Sequence, residues 1–210
     1  EHLTANEVDT AALKADAVTG AELADNAVNS EHYTDGSIDT AHIADAQITA
    51  AKLASGVGGI TVADSWRLTA DITNTDADIS ANLERDDTSG ASYIGSAMTV
   101  SSGIFTFPAT GVYQIVMYAN WIVSNENISV LGMFTTVNNS SYTSRADIYA
   151  STTGGDHYKN SSSSVFFNVD NTTNCKVKFA TDSMNSSCVL RGNTNKNETH
   201  FTFIRLGDST

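Results

Sequence analysis

Apolar side chains recur at every fifth position over the first quarter of the chain: Leu3, Val8, Leu13, Val18, Leu23, Val28, Tyr33, Ile38, Ile43, Ile48 and Leu53. At about 100° per residue, a step of five would scatter these groups around an α-helix instead of lining a stripe. A strand fares no better, because an odd step sends alternate side chains to opposite faces. The underlying unit is ten residues long. A Leu, Tyr or Ile rung alternates with a Val or Ile rung, and Asp9, Thr19, Asn29, Asp39 and Thr49 each stand one place after the second rung. These are N-capping residue types, and breakers such as Asp35-Gly36 follow the next rung. Each unit therefore reads as a short extended piece and about one capped helical turn. One such turn is unstable alone in water, so the repeat must gain its order by stacking on copies of itself.

Beyond residue 60 the pattern changes to β-branched and aromatic runs: "AMTVSSGIFTF", "GVYQIVMYANWIV", "ISVLGMFTTV", "SVFFNVD", "CKVKFATD" and "HFTFIRL". Turn-forming clusters such as "PATG", "VNNSS" and "DNTTN" separate them, and helical periodicity is absent, which predicts an all-β sandwich. Aromatic content shifts with the pattern. Tyr33 is the one aromatic residue in the first 60, whereas both Trp, six Tyr and all eight Phe follow. Glycines at 56, 58 and 59 mark a joint. The expected organisation is a repeat stalk over 1–55, a Gly-rich joint over 56–63 and a sandwich domain over 64–210.

Two stacked forms of the stalk are open. One resembles a pentapeptide-repeat β-helix, with Ala11, Ala21, Ala41 and Ala51 at the small-residue place of that family, although Ala12, Glu22, His32, His42 and Lys52 fill the place it gives to Asp or Asn. The other is a three-chain stalk whose seam is formed by Leu13, Val18, Leu23, Val28, Tyr33, Ile38, Ile43, Ile48 and Leu53. One large apolar residue in five is thin for a single-chain core and enough for a narrow seam between chains. The units "VTGAELADN", "IDTAHIADA" and "ITAAKLASG" resemble repeats in fibre proteins of tailed bacteriophages. The repeat is already in register at Leu3, which leads to the expectation of an upstream region that docks on other virion proteins.

A second resemblance lies in "GIFTFPATGVYQIVMYANW", residues 103–121. Gly103, Phe105, Pro108, Gly111 and Tyr113 fill a G-x-F-x-x-P-x-x-G-x-Y pattern similar to that of the C1q/TNF-like jelly roll, and "THFTFIRL" is similar to its last strand. The resemblance implies a jelly-roll fold and a homotrimer. The departures, including the absence of a collagen stalk, set this chain apart from the animal members' roles.

Charge narrows the partners. Ten acidic and two basic residues stand in 1–60, fourteen and nine in 61–210, for a net −13 that argues against nucleic acid. No run of about 18 apolar residues is present, so no membrane insertion is expected. Cys175 and Cys188 form neither a metal pattern nor a C-x-x-C pair. A hairpin centred on Asp182–Ser187 would not set them directly opposite. No catalytic motif, cofactor loop or metal set stands out, so no enzyme, cofactor or metal is expected. Asn74, Asp76 and Asp78 start like a calcium loop, yet Ile79 replaces its glycine. The jelly-roll resemblance implies that both termini lie at the base, so the longer connections around 72–92, 123–127, 151–161 and 182–197 would form an apex. His157, Tyr158, Lys159, Arg191 and Lys196 are its candidate contacts to a host-surface glycan or protein. The expected role is an exposed virion fibre that binds a host cell, with a purely structural fibre or decoration protein, and a secreted cellular C1q-like module, as alternatives.

Overall fold

A computed structural model describes residues 30–45, 47–48, 52, 59–124 and 128–210. The chain divides into two units, Glu1–Ala54 and Ser55–Thr210. In the first, two 3-10 turns are described, Ser30–His32 and Thr40–His42. Asp39 caps the second: its carboxylate accepts from Ala41 N at 2.9 Å, and its own N–H donates to His42 Nδ1 at 3.3 Å. The rungs Tyr33, Ile38, Ile43 and Ile48 are 39–50% exposed, so their own chain does not bury them. Leu13, Val18, Leu23, Val28 and Leu53 lie outside the described residues.

The second unit holds two antiparallel sheets. In the first, β3 (Leu83–Arg85), β1 (Ala63–Leu68), β12 (His200–Gly207), β6 (Gly111–Val123) and β9 (His157–Val169) lie side by side. β11 (Cys188–Leu190) continues the β12 side of β6, and β2 (Ile72–Thr73) pairs beyond it. The second sheet runs β4 (Thr99–Ser101), β5 (Ile104–Thr106), β10 (Lys176–Asp182), β7 (Ser129–Thr136) and β8 (Thr143–Ala150).

β6 organises the sandwich because its sequence alternates without a break. Tyr113, Ile115, Met117, Ala119 and Trp121 are fully buried, while the residues between them face outward. Opposite them, Phe105 sits in a nest of rings, 5.5 Å from Trp66, 5.8 Å from Phe179 and 5.1 Å from Phe203. Phe179 and Phe201 stack at 3.8 Å. Truncating any one of these rings removes about 3–5 kcal/mol.

Connections alternate between two ends. The turns over 107–110, 137–142 and 170–175 lie at one end, together with the start of β1 and the close of β12, where Ala63 pairs with Ile204 and Gly207 with Val112. The close of β6 at Val123 and the connections over 151–156 and 183–187 lie at the other. Cys175 and Cys188 are buried, in no disulfide, and at opposite ends: Cys175 precedes β10 beside the 170–175 turn, and Cys188 pairs with Val123.

Candidate binding surfaces

The glycine-proline-tyrosine motif is scaffold. Gly103 has φ +79°, and a Cβ there would collide with the Ile79 carbonyl. Gly111 has φ +149° and lies against Arg205 and the Gly207 carbonyl. Pro108 stands in the turn before β6, and across that turn the Tyr113 hydroxyl donates to Ala109 O at 2.9 Å. Burial pushes the Tyr113 phenol above its ordinary pKa. Phe105 fills the centre of the core, so the motif fixes one tight corner and the ring nest beneath it.

The outward face of the first sheet is different in kind. β9 presents Tyr158, Asn160, Ser162, Ser164, Phe166 and Asn168; β6 presents Val112, Gln114, Val116, Tyr118, Asn120 and Ile122; β12 adds His200, Thr202 and Ile204. None of these positions is Asp, Glu, Lys or Arg, in a chain of net charge −13. Tyr158 is 73% exposed and Phe166 65%. Tyr118 stacks on His200 at 4.9 Å, and burial lowers the His200 pKa, leaving a neutral imidazole. Among the large aromatics, Trp121 and Phe179 are core, whereas Tyr118 and Phe166 lie on this face.

The first half of β9 also departs from expectation. His157, Tyr158 and Lys159 belong to a strand rather than a loop, paired with Val123, Ile122 and Trp121 of β6. The connection before them is only 151–156. A run of Ser and Asn is weak strand former, and pairing along the full length of β6 overrides it. Arg191 and Lys196 do lie in a connection, 191–199, but on the other side of β6, where Arg191 N bonds to Asn120 O. Their charges are held internally. Arg191 Nε lies 3.3 Å from Asp71 and 3.2 Å from Glu198, and Lys196 Nζ 3.0 Å from Glu198. β6 therefore separates the two halves of the expected apex set. The calcium-like carboxylates are also engaged: Asp76 accepts from Met184 N at 2.7 Å, and Asp78 pairs with Lys178 at 2.7 Å.

Charge concentrates at the β1–β3 margin. The buried Arg67 guanidinium donates to Glu84 at 2.8 Å, Asp86 at 2.9 Å and Thr88 at 2.8 Å, and also pairs with Asp87. Burial opposes its charge, but Glu84, Asp87 and Asp86 together raise its pKa. Burial likewise disfavours the Asp86 carboxylate, yet hydrogen bonds from Asn197 and Thr88 and the charge of Arg67 hold its pKa below the usual range. Nearby, the buried Asp64 accepts from Trp66 Nε1 at 3.0 Å, Met98 N at 2.8 Å and Arg85 Nε at 3.0 Å.

A hollow of about 530 Å³ opens on the outward face of the second sheet. Its floor is Gly132, in the middle of β7, where a Cβ would meet the Phe134 ring at 2.8 Å and Asp147 Oδ1 at 3.1 Å. Phe134 and Tyr149 wall it with aromatic carbon, and Asp147 and Asp182 stand on the strands either side of β7. Sequence reading passed over this hollow. Its available signal was a lone glycine inside the run "ISVLGMFTTV", which marks a close approach within a strand.

Two stacked antiparallel sheets with this order define a jelly-roll sandwich. No protein-family model matches the chain, and no curated protein matches it. Solved structures do. Eiger TNF from S. frugiperda is 12% identical and aligns with a TM-score of 0.51, over 72% of this chain and 96% of that one. Murine APRIL, crystallised at pH 8.5, is 10% identical with a TM-score of 0.49, over 69% and 98%. The Eiger likeness identifies the fold as a TNF-like jelly roll.

Proposed function

We propose that this chain is a non-enzymatic, homotrimeric fibre module of a virion, in which a repeat stalk carries a jelly-roll tip that attaches to a host cell surface. The uncharged stretch of the first sheet's outward face, over β9, β6 and β12, carries the reading. Copies of a chain with net charge −13 repel one another, so they associate where charge is absent. That face is also where Tyr158 and Phe166 stand exposed. Burying each such ring contributes about 1.5–3 kcal/mol. The half-exposed rungs Tyr33, Ile38, Ile43 and Ile48 ask for the same remedy, a seam shared between chains. Three identical tips on one axis would multiply weak contacts into avidity.

The test has two parts. Sedimentation equilibrium on the full chain at micromolar concentration is expected to give three times the 22.2 kDa chain mass. A mass near one chain overturns the trimer. Fluorescently labelled protein is then applied to a panel of bacterial cells, with saturable binding to a subset as the expected result. A trimer that binds no cell in the panel would instead be a structural clamp or decoration protein.

A further inference from the structure

The hollow on the second sheet is built in a way that the scaffold does not require. β7 is a central strand with Val130 and Phe134 on its outward side, and any side chain at position 132 would push against the Phe134 ring and the Asp147 carboxylate, which close in over the glycine. Glycine leaves a depression there, bounded by Phe134, Asp147 and Tyr149. Tyr149 is 61% exposed, an unusual position for a large ring with one face open to water. Its hydroxyl leans on Asp147 Oδ2 at 3.3 Å, and the charge of Asp147, with that bond, raises the phenol pKa and keeps it a donor.

The carboxylates are the second observation. Among the described residues, Asp147 and Asp182 are in no ion pair and no basic side chain lines the hollow. The nearest lysine on this face, Lys178, lies 6.0 Å from the Phe134 ring and is committed to Asp78 at 2.7 Å. The hollow thus offers aromatic faces and a negative potential from two carboxylates that take only neutral donors, Asp147 from the Tyr149 hydroxyl and Asp182 from Ser183 N at 2.7 Å, and so keep acceptor lone pairs for a ligand. An anionic ligand is repelled, and a purely apolar one would desolvate two carboxylates without compensation. A ring with C–H groups on one face and several hydroxyl donors on its rim satisfies every group present.

We propose that this hollow binds a non-acidic sugar residue, a neutral hexose or a hexosamine, of a surface glycan. The sugar ring lies on Tyr149 above the Gly132 floor, with hydroxyl pairs donating to Asp147 and Asp182. This deepens the attachment role proposed above and rests on it for the glycan's source, but not for binding itself. It also moves the receptor contact from the connections at the tip to the flank of the second sheet.

The test is saturation-transfer NMR on the full chain with glucose, galactose, glucosamine and glucuronate as probes. At least one of the first three is expected to receive transfer, and glucuronate none. Tyr149→Ala and Asp147→Asn are each expected to weaken that binding at least tenfold, while Lys196→Ala leaves it unchanged. Both substituted side chains are exposed, so circular dichroism should match the parent. No transfer from any non-acidic probe, transfer from glucuronate alone, or binding indifferent to Tyr149→Ala and Asp147→Asn overturns the site. The two proposals fail separately. Cell binding without saturation transfer from any non-acidic sugar sinks the sugar site and leaves attachment standing; sugar binding without cell binding does the reverse.

Discussion

Gly103 and Gly111, like Gly95, combine a left-handed backbone with an occupied space where a Cβ would go. Strain at such a position is about 1–3 kcal/mol, and the collision adds to it. Gly103→Ala is therefore expected to lower stability by about 2–4 kcal/mol, read as a shift in urea midpoint at constant slope. A change below about 0.5 kcal/mol would show that the Ile79 carbonyl yields freely. These residues were legible as a motif because each has a physical reason to be that residue type. The sugar-site residues were not. Asp147 and Asp182 are ordinary surface carboxylates in sequence, and only the register that sets Tyr149 opposite Val130 and Asp147 opposite Gly132 brings them to one hollow.

Among the elements, legibility followed burial. β6 spans Gly111–Val123, the same residues as the run "GVYQIVMYANWIV", because alternate residues along its length meet the core. β8 reads "TSRADIYA" and buries only Ile148 and Ala150, so its sequence carries little period-two signal. The first half of β9 is exposed on both faces and carries none. The β1–β3 margin is held by charge rather than by apolar area, and its behaviour follows. Replacing Arg67 with Met leaves Glu84, Asp86 and Asp87 facing one another without their shared cation. The expected loss is about 3 kcal/mol, the low end for a broken buried pair, because Asp87 keeps its water. Acid acts on the same cluster. A carboxylate whose folded pKa is depressed stabilises the fold fully above its unfolded value, about 3.9, and loses that contribution as pH falls through the folded pKa. Asp86 is such a group. Asp86→Asn should lower stability at pH 7 and flatten the decline in urea midpoint below about pH 4; an acid limb parallel to the parent's would assign that decline to other groups.

For the whole molecule, association and fold respond to different substitutions. Val116 lies at the centre of the uncharged face, paired with Ser164 and Thr202, and points away from the core. Val116→Asp is expected to leave the circular dichroism spectrum intact and reduce the sedimenting mass to that of one chain. An unchanged trimer would place the interface elsewhere on the surface. His200 lies on the same face and is neutral when buried. Its protonation in acid would add charge to that seam, so dissociation is expected to set in below its lowered pKa.

That β1 begins, and β12 finishes, at one end of the sandwich has a mechanical consequence. Tension transmitted along the chain into residue 63 pulls β1 lengthwise. Its hydrogen bonds to β12 and β3 run across that direction. The rungs are loaded together in shear instead of parting one after another like a zip. A domain tethered in this way resists drag on whatever it grips, and the tether gives way only when the whole row of bonds fails at once.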